Sequence, residues 1–235
     1  MALPEQRYLS TEYITENPTW DAEDSPWKAK KVAQLIVGSG VPSNNICEVG
    51  CGAGGVLASL RSFFPDSLLT GYDIAETAKS LWDKHSSLDI RFFVGNFLEV
   101  NKEHFEVICI LDVIEHLQDP FYFLDNIKKH GDYFVFHIPL DLSSVSVFRE
   151  SPILKVRNTV GHIHYYTKEL ALSLLVESEF EIIDWKYTNA SLSGPGGTWK
   201  RRLATILRQV CYGVNKDMGV RLLGGETLIV LAKPI

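Results

Sequence analysis

ICEVGCGAGGVL, residues 46–57, places four glycines within positions 50–55, directly after a short apolar run. Ile46 to Val49 reads as a strand, and VLASLRSFF from Val56 as a helix that stops at Pro65, so the glycines fill a strand-to-helix turn. Such a turn exposes main-chain N–H groups at a helix N-terminus, and residues without a Cβ let a ligand touch the backbone itself. Gly50, Gly52 and Gly54 are the candidates for that close approach. In open parallel sheets, ligands settle beyond the carboxyl ends of the strands, which is where this turn lies.

Working outward, the chain alternates and does not repeat. Upstream, SPWKAKKVAQLIVGSG predicts a helix with Ser25 as N-cap, Pro26 at its first position and Ala29, Val32, Ala33 and Ile36 on one face. Downstream, LLTGYDI predicts a strand, AETAKSLWDKH a helix, IRFFVGN a strand and FEVICILD a fourth strand. The near-continuous hydrophobicity of the fourth suits a central strand covered on both faces. A helix ending near Gly131, the strand YFVFHIPL, the helix TKELALSLLVES with Thr167 as cap, and the strands FEIIDWKY and TLIVLAK follow. This rhythm predicts an α/β, doubly wound, Rossmann-like sheet in one domain over residues 1–235. Three segments stand outside it: residues 1–25, a candidate lid that takes in most of NPTWDAEDSPW, and candidate caps near 141–162 and 189–224.

Composition narrows the function classes. With 46% apolar residues in 235, the chain has enough material for a sizeable core. A net charge of -6 argues against a nucleic-acid partner. No apolar run reaches the roughly 20 residues of a membrane span, and MALPEQRYLS lacks a signal-peptide pattern, so a cytoplasmic protein without a membrane partner is expected. The four cysteines form no zinc-like pair and are expected reduced.

About 20 residues past the glycines, the second strand ends at Asp73, an acceptor-only carboxylate suited to the two hydroxyls of a ribose. Gly50, Gly52 and Gly55 also satisfy GxGxxG, so the glycines alone leave an NAD-dependent oxidoreductase or epimerase open. The surroundings separate the two. Glu48 stands two residues before the GxGxG in EVGCGAG, followed by YDIAE, VGNFLE and ILDVIEHLQDP in that order. In these four motifs the chain resembles the class I S-adenosylmethionine-dependent methyltransferases, in particular the small-molecule group that includes ubiquinone-type O-methyltransferases. The resemblance implies a seven-stranded sheet in the order 3-2-1-4-5-7-6 with the last strand antiparallel. It implies S-adenosyl-L-methionine as cofactor and S-adenosyl-L-homocysteine as product, held by Glu48, Gly50, Gly52, Gly54, Asp73, Ile74, Asn96, Phe97, Leu111 and Asp112. Asn96 departs from the Asp of many relatives; its amide oxygen still accepts from an adenine amino group. A non-catalytic S-adenosylmethionine-binding partner protein is the remaining alternative.

A sulfonium methyl is already electrophilic, so the protein's task is to align a nucleophile and, for a hydroxyl acceptor, to remove its proton. Asp112, Glu115 and His116, spaced three and four apart, are expected on one side of a helical turn beside the acceptor. The family resemblance would make the three a Mg2+ or Zn2+ site; a loop-orienting role without metal is the favoured reading. Histidine titrates near pH 6.5, which marks His116 and His164 as candidate bases, with His162 and His137 behind them. His137, inside FVFHIPL, also reads as a satisfied core residue. Lys200, Arg201, Arg202 and Arg208 admit an anionic substrate or a solvated helix face. Trp199, Leu203, Ile206, Leu207 and Val210 share one face that reads as core or as a dimer contact, so a monomer or a homodimer is expected.

Overall fold

The computed structural model describes residues 22–190 and 199–235, without the side chains of Ala22 and residues 199–204. Most of the candidate lid and part of the second cap therefore lie outside the described residues. Along the chain run α1 (Ser25–Ser39), β1 (Asn45–Val49), α2 (Gly55–Leu60), β2 (Leu68–Asp73), α3 (Lys79–Trp82), β3 (Ile90–Val94), α4 (Phe97–Val100) and β4 (Phe105–Leu111). Then come α5 (Pro120–Ile127), β5 (Gly131–Leu140), α6 (Ser144–Arg149), α7 (Ser151–Thr159), α8 (Lys168–Glu177), β6 (Phe180–Tyr187), α9 (Trp199–Val214), α10 (Lys216–Leu223) and β7 (Glu226–Pro234).

The seven strands form one sheet in the order β3-β2-β1-β4-β5-β7-β6. β1 to β5 are parallel, and β7 runs antiparallel to both β5 and β6. This is the Rossmann-like methyltransferase architecture expected from the motifs. The apolar run of β4 is explained by its two covers. Phe105, Ile108 and Ile110 join one buried cluster with Phe123 and Leu175, while Val107, Cys109 and Leu111 join a second with Ala29, Ile36 and Leu57. A strand buried on both faces gains from apolar residues at every position, so no polar alternation appears. Cys47, Cys51 and Cys109 are buried free thiols, and Cys211 is free and partly exposed.

Several local expectations are corrected. α1 begins at Ser25 itself, with Asp24 in the cap position and no side-chain cap. Pro26 in the first turn costs nothing, because its missing N–H would be unpaired there in any case. The helix expected over AETAKSLWDKH breaks into short 3-10 and α turns. Within it, Trp82 donates from Nε1 to the Gly52 carbonyl at 2.8 Å and stacks on Phe92. His85 Nε2 lies 3.1 Å from the Ala53 carbonyl. On α9, Ile206, Leu207 and Val210 are exposed, so the core reading fails for this part of the apolar face. Trp199 and Leu203 fall outside the described side chains.

Candidate active site

Between the carboxyl ends of β1 and β4 the sheet opens into a cavity of about 960 Å³. The glycine turn forms its floor. Gly50 has φ 78° and Gly54 φ 76°, backbone that a Cβ penalises. A Cβ on Gly50 would also meet Val113 Cγ2 at 2.6 Å, and one on Gly54 would meet Phe92 Cζ at 2.6 Å. The N–H groups of Gly50 and Cys51 donate to the Tyr72 carbonyl, which ties the turn to β2. Asp73 completes the tie, because Oδ2 accepts from Gly52 N and Oδ1 from Ala75 N, both at 2.8 Å. Burial pushes the Asp73 carboxyl up, and those two N–H groups pull it back.

Of the ten residues expected to hold the cofactor, Glu48, Gly50, Gly52, Asp73, Ile74, Asn96, Phe97, Leu111 and Asp112 line this cavity. Gly54 sits behind it as the N-cap of α2. Asn96 caps α4, its Oδ1 accepting from Leu98 N at 3.1 Å, and retains a second lone pair. Glu48 is buried and its Oε2 has no hydrogen-bond partner. Burial raises its pKa to about 8, against the opposing pull of the Lys28 ammonium.

Asp112 occupies the left-handed region at φ 54°, and this separates it from the residues that follow. Its Oδ2 meets Lys28 Nζ at 2.8 Å and its Oδ1 meets His137 Nδ1 at 2.7 Å. Burial acts upward on this carboxyl, but His137 and Lys28 outweigh it and hold it far below the usual carboxylate range. His137 Nε2 reaches Thr227 Oγ1 at 2.9 Å, so both ring nitrogens are satisfied inside the strand, as a core residue requires. Lys28, and Trp27 edge-on to His137 at 5.9 Å, bring α1 over the site.

The helical turn expected to align Asp112 with Glu115 and His116 does not form. A 3-10 turn begins only at Ile114, after the left-handed residue has redirected the chain. Glu115 and His116 meet His162 instead, with one ligand atom from each lying within 4.8 Å of the others. Both Glu115 carboxylate oxygens are buried without a hydrogen-bond partner. Burial, reinforced by Asp112, pushes this group well up. His162 Nδ1 lies 2.6 Å from Asp141 Oδ2, and its Nε2 lies 3.8 Å from Glu115 Oε1. The His116 and His162 rings cross at 4.8 Å. His116 and His162 line the cavity. His164 instead binds the Leu117 carbonyl through Nε2 at 2.9 Å and lines a neighbouring shallow groove. Arg208 donates to the Gly224 carbonyl and lies outside the cavity lining. Lys200, Arg201 and Arg202 fall outside the described side chains.

Known proteins share this fold. The mitochondrial ubiquinone biosynthesis O-methyltransferase of Dictyostelium discoideum is 30% identical over 100 residues, a match spanning 36% of this chain and 31% of that protein. In fold, the chain is similar to the plantazolicin methyltransferase BpumL in complex with a desmethyl analogue and S-adenosylhomocysteine, with a TM-score of 0.65, 15% identity, and 99% and 95% of the two chains covered. It is also similar to magnesium protoporphyrin IX methyltransferase of Synechocystis PCC 6803 with bound S-adenosylmethionine, with a TM-score of 0.62, 12% identity, and 98% and 95% covered. The unpartnered Oε2 of Glu48, the bare turn and Asp73 fit an adenosyl sulfonium with its ammonium and ribose. A methyltransferase-domain family model matches residues 17–184, and the chain belongs to that family of class I S-adenosylmethionine-dependent methyltransferases.

Proposed function

We propose that this enzyme methylates a hydroxyl oxygen of a small molecule, with His162 receiving the acceptor's proton. The observation that carries the reading is the Asp141–His162 pair at the cavity wall. A carboxylate on Nδ1 fixes the ring and directs Nε2 away from Asp141, the arrangement general-base catalysis uses. S-adenosylmethionine, when bound, supplies a methyl that needs no further activation. The chain's share is therefore alignment and proton removal. Gly50, Gly52 and Asp73 fix the adenosyl end, Glu48 offers a buried oxygen to a cation, and the wall formed by Glu115, His116 and His162 lies on the acceptor's side. Asp112, locked to Lys28 and His137, stiffens the floor between them. The candidate lid at 1–25 and the caps at 141–162 and 189–224 would shield the transfer from water.

Thermal denaturation with S-adenosylmethionine, S-adenosylhomocysteine and NAD in parallel tests the cofactor. Ligand at a hundred times its Kd adds about 2.7 kcal/mol, a rise in Tm of roughly 5 to 10 °C at this size. A rise with NAD alone would restore the oxidoreductase reading. Binding of S-adenosylmethionine without transfer to hydroxylated, amine or thiol acceptors would leave the non-catalytic partner.

The convergence of Glu115, His116 and His162 favours a second reading of the same wall. Two imidazoles and a carboxylate suit Zn2+, and a cation held there would lower the pKa of an acceptor hydroxyl. Calorimetric titration of the protein with Zn2+ or Mg2+ alone separates the readings. Under the base reading no stoichiometric heat is expected, and transfer persists in chelator. Binding that Glu115→Gln abolishes, together with chelator-sensitive transfer, favours the metal.

Glu48 predicts a pH dependence. Its pKa rises from 4.5 to about 8 on folding, so the fold favours the protonated acid. That contribution is fully present below pH 4.5 and is lost as pH rises through about 8. Holding the cofactor's ammonium requires the ionised form. Affinity for S-adenosylmethionine is therefore expected to climb by up to about tenfold per pH unit from pH 6 and to level off above about 8. Calorimetry across that range checks this, and Glu48→Gln should give a flat profile.

A further inference from the structure

A turn with four glycines in residues 50–55 would move freely if nothing held it, and a ligand that had to order it on binding would lose affinity to the backbone entropy. Its N–H groups are tied to β2, those of Gly50 and Cys51 to the Tyr72 carbonyl and that of Gly52 to Asp73. Its carbonyls are tied to a different element, by residues that no motif of the sequence marks. Trp82 Nε1 donates to the Gly52 carbonyl at 2.8 Å, and His85 Nε2 lies 3.1 Å from the Ala53 carbonyl. The Trp82 ring is buried and stacks on Phe92 of β3, with centroids 4.9 Å apart and planes 14° from parallel. A Cβ on Gly54 would meet that Phe92 ring at 2.6 Å and His85 Cδ2 at 3.4 Å, so both rings lie hard against the turn. The break in the helix expected over AETAKSLWDKH has a reason here. A 3-10 turn runs over Asp83–Leu88 directly after Trp82, and its three-residue repeat brings positions 82 and 85 to one side, where they reach successive carbonyls.

A trans peptide is planar, with its C=O and N–H pointing opposite ways. By gripping the Gly52 carbonyl, Trp82 therefore aims the N–H of Ala53, which shares that peptide, away from itself. Gly52 and Ala53 line the cavity, whereas Trp82, His85 and Phe92 do not. The N–H groups of Gly50, Cys51, Gly52 and Gly54 are all spent on protein acceptors, while that of Ala53 has no acceptor among the described residues. We propose that Trp82 is a positioning residue for the cofactor: from outside the cavity it fixes the Gly52–Ala53 peptide so that the Ala53 N–H is presented to S-adenosylmethionine. Half-buried His85 is the second anchor, on the next carbonyl. This role rests on the cavity's assignment to that cofactor and is independent of the acceptor and of the base.

Trp82→Phe keeps an aromatic ring on Phe92 and removes the N–H. In calorimetric titration its Kd values for S-adenosylmethionine and S-adenosylhomocysteine are both expected to rise about tenfold, the size expected when a partly buried carbonyl loses its donor. His85→Phe should raise them about threefold. In amide NMR spectra of ligand-free Trp82→Phe, the Gly52, Ala53 and Gly54 resonances should move while those of β4 and β5 stay, a pattern that general loosening of the core would not give. The unmodified enzyme supplies a check that does not depend on the variant's folding: S-adenosylhomocysteine should slow hydrogen exchange at the Ala53 amide at least about tenfold. An Ala53 amide indifferent to the ligand overturns the proposal. So does a Trp82→Phe Kd within about twofold of the parent, or a raised Kd accompanied by amide shifts throughout the sheet, which would reduce Trp82 to a packing residue. A parent that binds neither ligand overturns the cofactor assignment and this role with it, whereas binding without these effects overturns this role alone.

Discussion

Replacing Asp73 by Ala will lower the affinity for S-adenosylmethionine by about two to three orders of magnitude while the protein stays folded. Two losses add. The N–H groups of Gly52 and Ala75 each give up their bond to the carboxylate, and a partly buried donor left unpaired costs about 1–3 kcal/mol, part of which appears as disorder of the turn that must be rigid to receive the ligand. The ribose hydroxyls then lose an ionised acceptor, worth about 1.5–3 kcal/mol for a charged hydrogen bond. Three to four kcal/mol in total corresponds to about a 10²- to 10³-fold change in Kd. Asp73→Asn retains one acceptor oxygen and supports one of the two N–H groups, so an intermediate loss is expected. Calorimetry decides the matter. Affinity within about threefold of the parent for Asp73→Ala would show that the sugar is not held at the end of β2, and the cofactor assignment of the cavity would have to be rebuilt.

The legible and illegible parts of this molecule divide along a physical line. The turn over residues 50–55 was readable because glycine is the residue that pays least for φ near 78°, so its density marks backbone that must bend left-handed beneath a ligand. Asp73 was readable because it ends an apolar strand a fixed distance after that turn. Strands β4 and β7 were readable because each alternates between two covered faces and so shows an unbroken apolar run. The convergence of Glu115, His116 and His162 was not readable, because periodicity describes a chain that keeps one conformation and here it does not. Asp112 at φ 54° reverses the direction in which its neighbours point, which voids the three-and-four spacing. Lys28 reaches Asp112 from α1, and no local pattern in SPWKAKK distinguishes it from Lys30 or Lys31. Its only signal is its neighbour Ala29, whose burial places the residue at the edge of the packed face.

His162 and His164 show the same limit at closer range. An extended GHIHYYT would send both imidazoles to one side, but residues 161–167 form no strand. The Glu115 carbonyl accepts from both Ile163 N and His164 N. Pinned there, the segment turns His162 toward Asp141 and the cavity, and His164 toward the Leu117 carbonyl. Of the two bases expected from sequence, His116 lines the cavity beside His162, and His164 lines the neighbouring groove.

Substituting His162 by Gln is accordingly expected to reduce kcat by about 10²- to 10⁴-fold, the range general-base catalysis supplies, with the Kd for S-adenosylmethionine unchanged because Gly50, Gly52 and Asp73 are untouched. A proton-accepting role and a packing role part company in three measurements. First, an acid limb in the parent's pH–rate profile should vanish in His162→Gln, because glutamine cannot take the proton, whereas lost packing would lower the whole profile in parallel. Second, Asp141→Asn keeps the volume and removes the charge that fixes the ring. It should lower kcat less than His162→Gln does and leave the KM of the acceptor nearly constant. Third, His164→Gln, which gives up only a bond to the Leu117 carbonyl, should keep kcat within a few tenths of a log unit of the parent, since it removes no group that faces the cavity. A His162→Gln enzyme of parental kcat would mean that alignment and desolvation alone carry the transfer. Loss of rate in His164→Gln with His162→Gln unaffected would place the acceptor in the groove between α5 and α8, and the polarity of the whole site would have to be redrawn.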